Sequence, residues 1–309
     1  MIWINLKLTI RNLLRSKGFS FINIFGLTVG MATVLLLLLW VSFETSYDKF
    51  HQNSDRLYQL ACKQYWDGDM HPMPNLPGKV IDMVKEKYPE IELGSNVNTF
   101  GESILFTIGE KSVYKRVYSV EGDFFKMFSF PIIKGDTSKL LTDPYELLLS
   151  ETEAKNLFGD TDPIGQSVLV NNTESFRVTA VYKDIPQNSA FKEFGCITSF
   201  EYLKRKYDFY NYIGSHWFFG FVKTKEGTNL DDVNKKLDTF YKDYISEEST
   251  TTLFLYPLVK NHLYHLGRET GIRTVKMFSF LALLILAIAC FNFMNLSTAR
   301  ASKRAKEIG

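Results

Sequence analysis

An uncharged run of 25 residues, 19–43, is the strongest constraint on how this chain folds. A helix rises 1.5 Å per residue, so about 20 apolar residues cross the hydrocarbon of a bilayer. A second uncharged run, residues 277–296, has 20 residues and is also long enough to cross the bilayer. The sequence therefore predicts two transmembrane helices, over residues 19–43 and 274–299, with residues 44–273 between them.

A cleaved signal peptide is the alternative for the first run. The apolar core of a signal peptide usually has 7–15 residues and is followed by a cleavage site of small residues. The run here is longer, and no such site follows Leu39 and Trp40. These features favour a helix that stays in the membrane.

Basic residues flank both runs on the sides that face away from residues 44–273. Lys and Arg next to a span tend to stay in the cytoplasm. The rule places both ends of the chain in the cytoplasm and residues 44–273 outside it. The formal net charge of +2 then reflects membrane flanks rather than a nucleic-acid surface. The flanking residues are Lys7, Arg11, Arg15 and Lys17 before the first run, and Arg300, Lys303, Arg304 and Lys306 after the second.

Residues 1–18 have the spacing of an amphipathic helix. Lys7, Arg11 and Arg15 recur every four residues, and apolar residues such as Ile10 and Leu14 form a separate stripe. This pattern predicts a helix that lies on the cytoplasmic surface of the membrane. A leader without structure is the alternative.

Residues 44–273 alternate short β-branched segments with segments of helical spacing, which predicts an α+β domain. Ser150 and Glu153 form the pattern of a capping box, and Gly159 marks the end of that helix. An aromatic-rich stretch at 207–221 predicts a second subdomain or its joint, and residues 67–78 predict a loop. The predicted strands are 103–109, 112–120, 166–172 and 175–185, and the predicted helices are 76–88, 150–159 and 229–245.

The sequence contains no recognisable catalytic or nucleotide-binding motif. A phosphate-binding loop of the form G-x-x-x-x-G-K-[ST] is missing, so the chain is not expected to hydrolyse ATP itself. His262 with His265, and the Met70-His71-Pro72-Met73 stretch, could bind a metal, but a surface role is favoured for both. We expect neither enzyme activity nor a bound cofactor or metal, and the pairing of Cys62 with Cys196 stays open.

Small and polar residues inside the two runs predict helix packing. Gly26 and Gly30 form a G-x-x-x-G step that lets another helix approach closely. Asn292 and Asn295 place two amides on one helix face, where unpaired amides would be costly in lipid. Hydration at the membrane boundary is the alternative for the asparagines.

Six motifs in order resemble the MacB/FtsX-like permease subunits of ABC transporters, in the form found in Bacteroidetes, with a MacB-like periplasmic core domain between the first two spans. The motifs are RNLLRSKGFSFINIFGLTVGMA, ETSYDKFHQNSDRLYQL, YSVEGDFFKMFSFPIIKGD, LLLSETEAKNLFGDTDPIGQSV, VTAVYKDIPQNSAF and ACFNFMNLSTARASKRAKEIG.

The resemblance implies a location in a bacterial inner membrane, with residues 44–273 in the periplasm, and a mechanical function. A separate cytoplasmic ATPase would hydrolyse ATP, and this permease would carry the resulting motion to its periplasmic domain for export or efflux. The eight basic flanking residues would face the ATPase, residues 44–58 and 267–276 would form a stalk, and residues 300–309 would begin a basic segment that leads to further spans. The resemblance also implies a homodimer or paired permease and a periplasmic adaptor. The substrate stays open among peptides, antibiotics, lipoproteins and the regulation of wall hydrolases.

A membrane sensor is the alternative from another functional class. Two spans around an outer domain of this size also occur in receptors that bind a ligand outside and signal inside. The ordered motifs favour the permease.

Overall fold

The computed structural model describes residues 17–308 and forms two compact units. One unit is formed by two chain segments, the first ending at Thr45 and the second beginning at Glu269. The other unit, Ser46–Arg268, is called the outer domain below. The α-helices described are α1 (Lys17–Thr45), α2 (Lys79–Lys87), α3 (Phe124–Met127), α4 (Glu151–Phe158), α5 (Phe200–Lys206), α6 (Leu230–Asp238), α7 (Phe240–Tyr244), α8 (Leu258–Asn261) and α9 (Gly271–Ile308).

Helices α1 and α9 contain the two predicted spans. The segments Ile24–Thr45 and Gly271–Met294 are long and apolar enough to cross a membrane. Large apolar side chains on them are exposed, including Leu36 and Leu39, each 67% accessible. A helix that is apolar on all sides is stable in lipid or in a protein core. Only 6% and 11% of the two apolar segments are buried in the described structure. The predicted amphipathic helix lies outside the described residues.

The outer domain is built on one mixed sheet of twelve strands. Their order is β12-β1-β11-β4-β5-β10-β7-β9-β6, with β2 added to β1, β3 to β11, and β8 to β4 and β9. The pairs β5–β10 and β7–β9 are parallel, and the others are antiparallel. The strands are β1 (Leu57–Trp66), β2 (Asp69–Met73), β3 (Asn75–Leu76), β4 (Ile91–Ile108), β5 (Lys111–Val120), β6 (Ile132–Gly135), β7 (Glu146–Ser150), β8 (Ser167–Val170), β9 (Glu174–Tyr182), β10 (Cys196–Ser199), β11 (Phe218–Thr224) and β12 (Thr252–Pro257).

Strand β4 joins the two ends of this sheet. Its first residues, from Ile91 to Val97, pair with β11, and its remainder pairs with β5 and β8. One apolar cluster, with Leu60, Val80 and Phe240, lies under α2, α6 and α7 at one end. A second, with Leu147 and Phe176, lies at the other end. The predicted α+β class is confirmed, and the expected subdomains are two ends of a single sheet.

Local patterns predicted part of β4, the strands β5, β8 and β9, and the helices α2 and α4 of the outer domain. Ser150 Oγ accepts a hydrogen bond from Glu153 N at 3.3 Å, so the predicted N-cap of α4 is confirmed. The expected single helix over 229–245 is wrong, because it divides at Thr239 into α6 and α7. Thr239 Oγ1 bonds Lys236 O behind it and Asp243 Oδ2 ahead of it.

The expected loop at residues 67–78 is also wrong. Asp67 and Gly68 both have positive φ, 51° and 83°, and form a tight turn that brings β2 back along β1. An Asp-Gly turn of this kind fits the twist of a β-hairpin. Pro72 is tolerated in β2 because β2 lies at the edge of the sheet. There the missing backbone N–H of proline costs no hydrogen bond to a further strand.

Candidate functional site

The outer domain begins and ends within one set of contacts, which we call the junction cluster. It comprises residues 46–51, 128–130, 188–191 and 258–267 of the outer domain. Residues 46–51 follow α1 directly, and residues 258–267 lie just before the start of α9. These two segments connect the outer domain to the two long helices along the chain.

Asp48 is the centre of the first contact. Its Oδ1 accepts hydrogen bonds from Ser189 Oγ and from Ala190 N, both at 3.0 Å, and its own N donates to Asn188 O at 2.9 Å. The residue is buried, and its φ is 56°. A left-handed backbone is costly for residues other than glycine, with Asp and Asn the best tolerated. The three hydrogen bonds stabilise this conformation.

Asn188 closes the same contact from the opposite side. Its Nδ2 donates to Ser46 Oγ at 2.9 Å and to Ser46 O at 3.3 Å. The first residues of the outer domain are thereby held to a loop about 140 positions later in the chain. This loop follows β9 and carries the sequence DIPQNSAF.

His51 is fully enclosed beside Asp48. Its Nδ1 accepts a hydrogen bond from Ser129 N at 3.1 Å, so a neutral ring carries its proton on Nε2. That Nε2 is buried, lies 3.8 Å from Asp48 Oδ1 and has no hydrogen-bond partner among the described residues. The rings of Phe128 and Phe130 pack around the imidazole, each with its centroid 5.2 Å away.

Aromatic stacking joins the beginning of the outer domain to its end. The rings of Tyr47 and His262 are parallel, with centroids 3.4 Å apart. Asn261, next to His262, donates from Nδ2 to the buried Gln59 in β1 and accepts a hydrogen bond from Leu266 N. The first and last segments of the outer domain are therefore fixed to the same core.

The two spans pack through the predicted small residues. A Cβ placed on Gly26 would lie 3.5 Å from Asn292 Nδ2, and one on Gly30 would lie 3.5 Å from the Cβ of Ala289. Trp40 and Phe278 meet edge to face, with centroids 4.9 Å apart. Asn295 lies in α9, but its side chain is outside the described part.

Most of the basic residues expected to face an ATPase, or their side chains, lie outside the part of the chain that the structure describes. Lys7, Arg11 and Arg15 precede the described residues, and Lys17 is the first residue of α1. The four basic residues of the second flank lie on the last turns of α9, and their side chains are not described. They are Arg300, Lys303, Arg304 and Lys306.

Neither a metal centre nor a disulfide forms in the described residues. No group of three or more His, Cys, Asp or Glu side chains there could hold a metal ion. Cys62 and Cys196 are buried thiols in different apolar clusters, and burial raises the pKa of each to about 12. Such thiols are poorly reactive.

The comparisons with known proteins agree with this architecture. A family model described as the MacB-like periplasmic core domain matches residues 20–240. The search of curated proteins found no match.

Three solved structures are similar in fold. A domain of a protein described as a permease, from Porphyromonas gingivalis, has a TM-score of 0.58 and 20% identity over 67% of this chain and 92% of its own. The periplasmic region of MacB from Actinobacillus actinomycetemcomitans has a TM-score of 0.49 and 17% identity over 65% and 89%. The extracellular domain of the ABC-type transporter YknZ from Gram-positive bacteria has 0.46 and 13% over 64% and 99%.

Proposed function

Because this chain belongs to the family of the MacB-like periplasmic core domain, we propose that it is a permease subunit of an ABC transporter that transmits motion across the inner membrane. Members of this family are transporter components that work with a cytoplasmic ATPase. In this proposal the ATPase moves α1 and α9, and these helices move the outer domain. The permease itself binds no cofactor and catalyses no reaction.

The junction cluster is the observation that supports this proposal. Motion of a helix is transmitted only if the segment that follows it is rigid, since a flexible linker would absorb the displacement. Here the first residues after α1 are held by Asp48 and Asn188, and Tyr47 stacks on His262 near the other end of the domain. Packed side chains and hydrogen-bond networks of this kind can carry coupling between distant sites.

The basic flanks provide the proposed contact with the ATPase. Anionic lipid could satisfy the same charges, at about 1 kcal/mol for each Lys or Arg. A homodimeric or paired permease and a periplasmic adaptor are further parts of the proposal. Export or efflux is the proposed outcome.

The test separates the ATPase from the lipid. The permease and its partner ATPase are reconstituted in nanodiscs of neutral lipid, where membrane charge does not contribute. We expect Arg11→Glu with Arg15→Glu to lower both co-purification and permease-stimulated ATP hydrolysis. Lys225→Glu with Lys242→Glu, at exposed positions of the outer domain, is the matched charge-reversal control and is expected to have no effect. Equal coupling by both double variants would refute the proposed contact.

A further inference from the structure

A groove of about 700 Å³ lies beside one edge of the sheet of the outer domain. Strand β12 ends the strand order on this side, so no further strand of the described chain pairs with its outer edge. Helix α6 forms the opposite wall through one polar stripe, whose members recur every three or four residues. They are Asp231, Asn234, Lys235 and Asp238. The groove thus lies between the edge of a strand and the face of a helix.

The lining residues from β12 show that the groove follows the edge of this strand rather than one face of the sheet. Successive side chains of a strand point to opposite faces. Thr252, Phe254 and Tyr256 therefore point to one face and Leu253 to the other, yet all four line the groove. Only the edge of a strand presents both sets of residues. The backbone of β12 therefore borders the groove.

The hydrogen bonds of β12 identify the backbone groups that face outward. Leu255 N donates to Asn234 Oδ1 at 2.7 Å, so Leu255 faces α6 and not β1. In an antiparallel pair, only every second residue bonds the neighbouring strand through its N–H and C=O groups. Leu253 and Pro257, two positions from Leu255, therefore also face outward, and Pro257 has no N–H. Leu253 and Leu255 thus present N–H and C=O groups at the spacing of a strand edge.

The contact of Asn234 shows that this edge already accepts an amide oxygen. Asn234 Oδ1 takes the place that the carbonyl oxygen of a neighbouring strand would take at Leu255 N. A side-chain amide and a backbone amide offer the same kind of acceptor, so a backbone carbonyl can replace Oδ1 at this position. The edge is therefore occupied at Leu255 by a group that an added strand can exchange for its own.

Charge does not select the ligand of this groove. The lining carries two carboxylates and two ammonium groups, so the formal charges cancel. They are those of Asp231, Asp238, Lys63 and Lys235. Phe254 and Tyr256 are only partly buried and offer apolar surface to a side chain of the ligand. Recognition therefore depends on backbone hydrogen bonds and on apolar contact.

We propose that the edge of β12 binds an extended segment of another polypeptide as an additional strand of the sheet. The carbonyl groups of this segment bond Leu253 N and, in place of Asn234, Leu255 N. Its own N–H groups bond the carbonyl oxygens of Leu253 and Leu255. Addition of a strand to an exposed edge is a recurring mode of peptide recognition. This inference does not depend on coupling to an ATPase.

The test compares two probe peptides on the whole chain in nanodiscs of zwitterionic lipid. The first, acetyl-Thr-Val-Thr-Val-Thr-amide, is uncharged, and its residues favour extended backbone. The second has the same sequence with an N-methyl group on every residue, so these residues cannot donate backbone hydrogen bonds. Calorimetric titration, corrected with empty nanodiscs, is expected to show that the first binds at least about tenfold more tightly, since the second loses the bonds to Leu253 and Leu255. Equal affinities would overturn the proposal.

Hydrogen exchange locates the bound peptide. Deuterium uptake by the segment 250–257 is expected to fall when the first probe is bound, because Leu253 N becomes hydrogen-bonded. Strand β6, at the opposite end of the strand order, is the internal control. Its register shifts between Ile132 and Lys134, and such a bulge hinders the addition of a strand, so its uptake is expected to stay the same. Uptake at 250–257 that stays unchanged, or falls no more than uptake at β6, would overturn the assignment to β12.

Asn234→Ala tests the exchange at Leu255. The variant leaves Leu255 N without its side-chain acceptor, so the probe gains this bond without displacing Asn234. The first probe is expected to bind about three- to tenfold more tightly to this variant than to the parent. Asn211→Ala, at an exposed position that does not line the groove, is the matched control and is expected to keep the affinity of the parent. Equal or weaker binding by Asn234→Ala would contradict the proposed exchange, and the comparison of the two probes does not depend on this variant.

Discussion

Asp48 and His51 form a buried pair in which Oδ1 of the aspartate lies 3.8 Å from Nε2 of the histidine. Each side chain also bonds a different distant segment, Asp48 the loop at Ser189 and His51 the backbone of Ser129. These contacts hold three parts of the outer domain together at its beginning. All of them lie within Ser46–Arg268.

Residues 46–268 are expected to fold without the membrane spans. The three largest apolar clusters described lie wholly within this segment, and a single sheet connects them. A fragment of this length can bury its own core. We expect a soluble fragment with mixed α and β circular dichroism and one cooperative melting transition. A fragment that is unfolded in buffer without detergent would contradict an independent domain.

Asp48→Ala is expected to destabilise that fragment by about 2–4 kcal/mol. The substitution removes a buried acceptor of two hydrogen bonds and places alanine at positive φ. Asp48→Gly also removes the acceptor but accepts the backbone conformation, so its loss is expected to be about 1 kcal/mol smaller. Urea denaturation measures both. Equal losses for alanine and glycine would show that the backbone conformation at this position carries no strain.

Glu121 and Asp123, which follow strand β5, are expected to give stability opposite dependences on pH. Burial raises the pKa of Glu121, which stabilises the fold below the ordinary value of 4.5, and this stability is lost as the pH rises through the folded pKa. Burial alone would raise the pKa of Asp123, but hydrogen bonds from Lys85 and Lys126 lower it. Its contribution is present above 3.8 and lost as the pH falls through the folded value.

Two variants separate these contributions. Relative to the parent, Glu121→Gln is expected to gain stability as the pH rises above 4.5. Asp123→Asn is expected to show its largest deficit at neutral pH and a smaller one below 3.8. Denaturation of the fragment at a series of pH values measures both. Parallel pH profiles for the two variants would refute the opposite shifts.

The orientation of the outer domain is testable with a reporter that is active only in the periplasm. Ser150 is an unsuitable insertion point because it is buried and caps α4. The turn at Glu226 and Gly227 is exposed. We expect a reporter inserted there to be active and one fused after Gly309 to be silent. The reverse pattern would invert the topology.

Local features of this fold could be predicted from the sequence, and long-range ones could not. Neighbouring residues alone determine the apolar runs, the Ser150 cap and the end of α4 at Gly159. The contact between Asp48 and Asn188 depends on strand order, which no local pattern encodes. For the same reason, no local pattern predicts that Asp82 in α2, Glu121 after β5 and Lys204 in α5 lie close together.

The β1–β2 hairpin shows a different cause of error. Residues 67–78 contain three prolines and two glycines, and such a composition is typical of a loop because proline is rare within strands. Trp66 stacks on His71 across this hairpin, with centroids 4.1 Å apart, which is a cross-strand pairing that becomes recognisable only once the register is known.

Hydrogen exchange at the junction cluster tests the transmission of motion most directly. The permease and its partner ATPase are placed in neutral nanodiscs, and deuterium uptake by peptides covering residues 46–56 and 185–191 is compared with ATP and without nucleotide. Peptides from the β4–β5 turn, near Gly109, serve as the internal control. If the chain couples the ATPase to its outer domain, uptake at the two junction segments changes with ATP and this change is lost in Asp48→Gly. Unchanged uptake at both segments, under conditions in which the complex hydrolyses ATP, would contradict the proposed function.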